Sequence, residues 1–151
     1  MRVHEWSQTS LGPAEHWSQS LRTVVDLVLA CRFPMIVLWS GDLLQIYNDA
    51  YRGLMGDKHP SGLGQPTREC WPEVWEFNKP IYARVLKGEA LMFADQMFMI
   101  SRHGYLEEAH FTLCYSPLRG ESGTVEGILV SVFETTQRIK AEAGTGPSTK
   151  D

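Results

Sequence analysis

The sequence predicts an α+β domain: antiparallel strand pairs joined by tight turns, short helices between them, and a further helix ahead of the first strand. Three observations predict it. Residues 105–133 read as a long hairpin, with an aromatic and β-branched run from Tyr105 to Pro117, a polar turn at Arg119 to Gly123, and a nearly continuous apolar run from Thr124 to Phe133. A second strand-turn-strand pattern occupies 34–47, with Gly41 and Asp42 at its turn. Residues 17–28 carry apolar side chains at helical rather than strand spacing.

The 151 residues suit one domain with one core. Hydrophobic residues at 43% and charged residues at 21% mark a folded globular chain rather than a disordered one. The net charge of −4, with no basic block, argues against a nucleic-acid partner. Cys31, Cys70 and Cys114 share no CxxC or His spacing and read as reduced thiols in a cytoplasmic setting. The start of the chain lacks the apolar core of a signal peptide, and no run is long enough for a membrane span, so no membrane contact is expected.

In chain order, Met1 to Pro13 holds no periodicity, and Ser10 to Pro13 reads as a loop. Trp17, Leu21, Val24, Val25 and Val28 make one helical stripe over Ser18 to Ala30, with Ser18 as N-cap and Gln19, Arg22 and Asp26 opposite. Pro34 to Trp39 is the first strand and Leu43 to Tyr47 the second. Asn48 or Asp49 caps a short helix that drops Tyr51 and Leu54 into the core. Gly56 to Gly64 is a loop, and Gly64 to Trp75 forms short helical turns broken at Pro72. Phe77 to Leu86 is the main helix, burying Ile81, Tyr82, Val85 and Leu86 and ending at Gly88. Leu91 to Ser101 is the third strand, with Met92, Met97 and Met99 as adaptable packing. Gly144 to Asp151 has linker composition. The expected division is 1–33 flanking helix region, 34–134 core, and 135–151 outgoing helix and tail.

Several phrases together resemble the PAS family. They are Asn48-Asp49-Ala50-Tyr51 after the second strand, Ser116-Pro117-Leu118-Arg119 with Gly123 at the hairpin turn, and Glu134-Thr135-Thr136-Gln137-Arg138 opening an outgoing helix. Glu134 stands where the family usually has Asp, and Thr135 where it has Ile or Val. The likeness covers residues 34 to 142. The phrases Trp17 to Asp26, Arg32-Phe33-Pro34-Met35, Gly56 to Pro60 and Gly104 to Ala109 resemble the N-terminal PAS domains of bacterial, often hybrid, sensor histidine kinases. The resemblance implies one five-stranded antiparallel sheet in strand order 2-1-5-4-3 with short helices on one face, and a sensory input module without catalysis of its own. It implies a kinase output domain in the parent chain and a mechanical relay through the last strand into the outgoing helix. An acid-to-Arg salt bridge commonly pins that junction, so Glu134, Thr136 and Arg138 are the relay candidates, with Glu134 and Arg138 expected to pair at i, i+4.

The chemistry legible in the residues is sparse. By comparison with the related LOV class of the family, the flavin-reactive cysteine would fall at Thr67, Cys70 is three residues further on, and Val132 replaces the flavin-sensing Gln. The main helix carries no histidine for haem, and His110 alternates away from Phe111, Leu113 and Tyr115. Flavin and haem are therefore not expected. Glu108 and His110 are too few for a metal site, and no nucleophile elbow, phosphate loop or zinc-protease motif occurs. The PAS resemblance implies instead a core pocket, cupped between the sheet and the helices, for a small apolar or amphipathic ligand. Its expected lining is Met35 and Val37, Trp71, Trp75, Phe77 and Tyr82, Phe111, Leu113 and Tyr115, and Ile128, Val130 and Val132. The competing expectation is a ligand-free homodimerisation module. It rests on the first helix and on an outward set, Thr112, Cys114, Leu129 and Phe133, too apolar to face water uncovered.

Overall fold

The amphipathic stripe after Ser18 folds as expected. Helix α1 (Gln19–Ala30) is capped by the Ser18 Oγ, which accepts from the Leu21 N–H at 3.2 Å, and it buries Leu21, Val25 and Val28. The computed structural model describes Gly12 and residues 14–145, so the readings on Met1 to Leu11 and most of the linker-like tail lie outside the described residues.

Five strands follow: β1 (Met35–Trp39), β2 (Leu44–Tyr47), β3 (Leu91–Ser101), β4 (Leu106–Arg119) and β5 (Val125–Glu134). They form one sheet in the order β2-β1-β5-β4-β3, with every pairing antiparallel. The apolar β5 is central, as its composition implied. Between β2 and β3 the chain forms α2 (Asp49–Met55), α3 (Thr67–Cys70), a 3-10 turn at Pro72–Val74, and α4 (Trp75–Leu86). The main helix thus starts two residues before Phe77. Helix α5 (Thr136–Thr145) leaves the end of β5 and reaches two residues into the expected tail. No helix among the described residues is long and apolar enough to cross a membrane.

The sheet has an inner face under α2 to α4 and an outer face partly covered by α1. Pairing fixes which residues go where. Ile36 lies opposite Val130, and Val37 opposite Leu129. Ile36 and Leu38 therefore face inward, while Met35 and Val37 face outward, the reverse of the expected phase. The physical reason lies in β1 itself, which is apolar at every position and so carries no polar residue to set its alternation. Val37 is nonetheless fully buried, because α1 packs against β1 and β2. Trp39 lies over Gly127, where a Cβ would fall 2.5 Å from the indole, so this central strand needs glycine at that point. Met92, Met97 and Met99, expected as core packing, are exposed on the outer face.

Asn48 joins α1, β1 and α2. Its Oδ1 accepts from the Tyr51 N–H at 3.0 Å, capping α2, and from the Met35 N–H at 3.3 Å. Its Nδ2 donates to the carbonyls of Val28, Cys31 and Phe33 at 2.9–3.1 Å. Those carbonyls end α1 and lead into β1, so one buried amide satisfies groups that would otherwise be orphaned. Asn48→Ala is expected to destabilise the domain by about 2–4 kcal/mol, from a lost cap and unsatisfied buried backbone groups. Urea denaturation reads this directly. Asn48→Asp, which keeps both accepting bonds but loses the donors, should fall between wild type and Ala.

Candidate functional site

The inner face and the helices above it form a half-open cavity of about 60 Å³. Ile36 and Leu38 from β1, Tyr51 and Leu54 from α2, and Thr67, Trp71 and Val74 from the short turns form part of its wall. Asn78 and Tyr82 of α4 close the top, and Phe98, Ile100, Phe111, Leu113, Tyr115, Val130 and Val132 form the floor. Among these residues none carries a charge.

Seven of the twelve expected lining residues are brought together there: Trp71, Tyr82, Phe111, Leu113, Tyr115, Val130 and Val132. Met35 and Val37 are on the other face of the sheet. Ile128 is fully buried on the inner face but lies outside the cavity wall. Trp75 packs beside Tyr82, with ring centroids 6.0 Å apart. Phe77 sits behind the wall, edge-on to Phe93 and Phe98 at 5.5 and 5.0 Å.

The polar groups of the cavity are the ones that sequence reasoning largely missed. Tyr115 Oη donates to Asn78 Oδ1 at 2.7 Å. Asn78 is placed by the same helical stripe that buries Ile81, Tyr82 and Val85, and a polar residue at that phase was the available signal. Burial pushes the Tyr51, Tyr82 and Tyr115 hydroxyls well above the ordinary tyrosine value, and neighbouring tyrosines add to the rise at Tyr51 and Tyr115. The Trp71 Nε1 lies near enough to moderate that rise at Tyr51 but is itself buried without a hydrogen-bond partner.

The residues present do not fit a flavin–cysteine adduct. Thr67 and Val132 line the wall, and no cysteine does. Cys70 is buried away from the cavity wall, and burial pushes its thiol up, which suppresses the reactive thiolate. No histidine lines the cavity either. His110 has its Nε2 3.7 Å from Glu108, and among the described residues no His, Cys, Asp and Glu group could hold a metal ion.

Behind the cavity lies a charged junction. Arg102, at the end of β3, is 7% exposed. Its fork meets Glu134 through two bonds of 2.9 and 2.8 Å, Glu107 at 3.1 Å, and the Leu54 carbonyl at 2.8 Å. Thr136 Oγ1 donates to Glu134 at 2.7 Å and accepts from the His110 N–H at 2.9 Å. The expected Glu134–Arg138 pair does not form. Glu134 ends a strand and α5 starts at Thr136, so the two are not i, i+4 on one helix. Arg138 instead bonds Asp95, at the bulge of β3, and Glu142. Burial pushes the Glu134 carboxyl up, but the Arg102 and Thr136 hydrogen bonds, with the charges of Arg102 and His103, bring it below its ordinary value.

The family model described as the PAS fold matches residues 42–140. Among solved structures, the chain is similar to the PAS domain of BvgS from Bordetella pertussis, with TM-score 0.61 and 20% identity over 88% of this chain and 98% of that one. It is also similar to a LOV protein from Rhodobacter sphaeroides, with TM-score 0.60 and 14% identity over 83% of this chain and 76% of that one. A sensory box sensor histidine kinase from Vibrio cholerae is similar at TM-score 0.51 and 16% identity, over 77% and 92%. At these identities the likeness is one of fold. No curated protein sequence matches the chain significantly.

Because the folded Glu134 carboxyl is depressed, its stabilisation is complete above the unfolded value near 4.5 and is lost as pH falls through the folded one. Glu134→Gln should therefore be less stable than wild type at about pH 7, with the gap closing toward about pH 3 in urea unfolding. Arg102→Met, which strands two carboxylates, should cost about 3 kcal/mol at neutral pH by the same measurement.

Proposed function

The chain belongs to the PAS fold family, and from that premise we propose that it is the input module of a bacterial two-component sensor histidine kinase. In this reading it binds a small apolar or amphipathic molecule in its core cavity and passes the change out through α5. Any catalysis belongs to a kinase output domain in the parent chain.

One observation carries the reading. Leu54 lines the cavity with its side chain and gives its carbonyl to Arg102. The cavity has room for about four water-sized centres as it stands. A larger guest must move a wall, and α2 is a seven-residue element of that wall. Displacing α2 pulls on Arg102, which holds Glu134, which in turn holds Thr136 at the first turn of α5. Arg138 ties the same turn to the β3 bulge through Asp95. Only a few kcal/mol of differential affinity are needed to bias two such arrangements.

The outer face supports a second reading, homodimerisation. Phe33 and Phe133 stack at 5.9 Å yet remain 43% and 53% exposed, with Met97 and Met99 on the same face. Helix α1 packs on β1 and β2 and leaves this side of the sheet open. A second copy, burying the same apolar strip against itself, is the occupant this reading names.

Native mass spectrometry of protein purified from cells is expected to show a small-molecule adduct lost on denaturation. Hydrogen exchange of residues 136–145 should then differ between loaded and stripped protein, and Glu134→Gln should abolish that difference while leaving the adduct. A chain bare of any adduct counts against the ligand, and unchanged exchange counts against the relay. In sedimentation, Phe133→Glu should convert a dimer to monomer, whereas a wild-type monomer counts against the second reading.

A further inference from the structure

We propose that the cavity selects a small uncharged molecule bearing a hydrogen-bond acceptor, and that Asn78 Nδ2 is the donor that anchors it. The inference rests on the ligand-binding reading above and names the chemistry of what that site takes.

Asn78 is 9% exposed and lies in the cavity wall. Its Oδ1 accepts from the Tyr115 hydroxyl, which leaves the Nδ2 for a guest. Its Nδ2 carries two N–H groups and makes no hydrogen bond to any described residue. Buried donors in folded proteins find acceptors, because an unmet one costs about 1–3 kcal/mol. The Trp71 Nε1, on the same wall, is a buried donor without a hydrogen-bond partner. Tyrosine and threonine hydroxyls can give or take a bond, so the fixed hydrogen-bond surplus of the wall is one of donors.

Charge is excluded from the same site. The wall holds no Lys, Arg, His, Asp or Glu to compensate an ion, and desolvating an unpaired ion costs far more than one amide bond returns. The burial that raises the three tyrosine hydroxyls acts on any ionised guest in the same direction. Size is bounded too. An apolar cavity of about 150 Å³ takes benzene, and this one is about 60 Å³. The guest is therefore compact, no larger than one small ring, and even that ring must press the wall outward.

The test is a titration followed by two-dimensional amide NMR, including side-chain amides, with four probes of one shape. Cyclopentanone carries an acceptor, cyclopentane does not, and cyclopentanecarboxylate and cyclopentylammonium carry charges. Cyclopentanone is expected to bind best and to shift the Asn78 side-chain amide. Asn78→Leu should weaken cyclopentanone about tenfold and leave cyclopentane unchanged. Should that variant misfold, Tyr115→Phe, which frees the amide to rotate, should weaken cyclopentanone alone. Equal binding of cyclopentanone and cyclopentane, indifferent to both substitutions, overturns this inference while the ligand-binding reading stands. Tighter binding of either charged probe also overturns it. If no probe shifts any cavity resonance, this inference falls, and the adduct test above decides the ligand-binding reading separately.

Discussion

The Arg102 guanidinium is the constraint on which the arrangement of segments depends. A charge this deeply placed must be paired, and a planar fork of five donors demands acceptors in fixed directions. Leu54, Glu107 and Glu134 meet that demand from the end of α2, the start of β4 and the end of β5. Moving any one of these segments strands a buried donor or a carboxylate. Lysine, with three donors and no fork, would not supply the four bonds that reach Leu54, Glu107 and both oxygens of Glu134. The approach of the loop after α2 is equally tight. Gly56 has φ +57°, and a Cβ there would fall 2.5 Å from the Arg102 carbonyl, which the neighbouring Asp57 N–H bonds at 2.7 Å.

Asn48 performs the corresponding task at the other end of α2. Helix α2 is thus held by a buried amide where it begins and by a guanidinium near its end, with Tyr51 and Leu54 facing the cavity between them. A helix so short has little stability of its own. Its position is set by these two polar anchors and by what fills the cavity beneath it. An uncharged interior therefore lies directly against a charged junction.

Much of this was legible in the chain. The helical stripe of α1 with its Ser18 cap, the bounds of β3, a cap for α2 at Asn48 or Asp49 and the apolar centre of β5 follow from local periodicity and turn chemistry; the structure places that cap at Asn48. So does the inward set Phe111, Leu113 and Tyr115, because β4 alternates apolar and polar residues and its phase is written in the sequence. Where the pattern carries no phase, reading it fails. β1 is apolar on both faces, so Met35 and Val37 were exchanged for Ile36 and Leu38. β3 crosses a bulge between Phe93 and Gln96, which resets the register before Met97.

The sequence by itself determined the elements, their antiparallel order once the family likeness was seen, and the apolar character of the core, because these follow from short-range periodicity and composition. Only the tertiary structure decided the partners of the charged and polar groups. Glu134 meets Arg102, 32 residues away, rather than Arg138, and Asn78 meets Tyr115, 37 residues away. Spacing along a chain predicts contacts within one helix or strand. Which distant acceptor a buried donor finds is set by how strands and helices pack, and no local pattern carries that information.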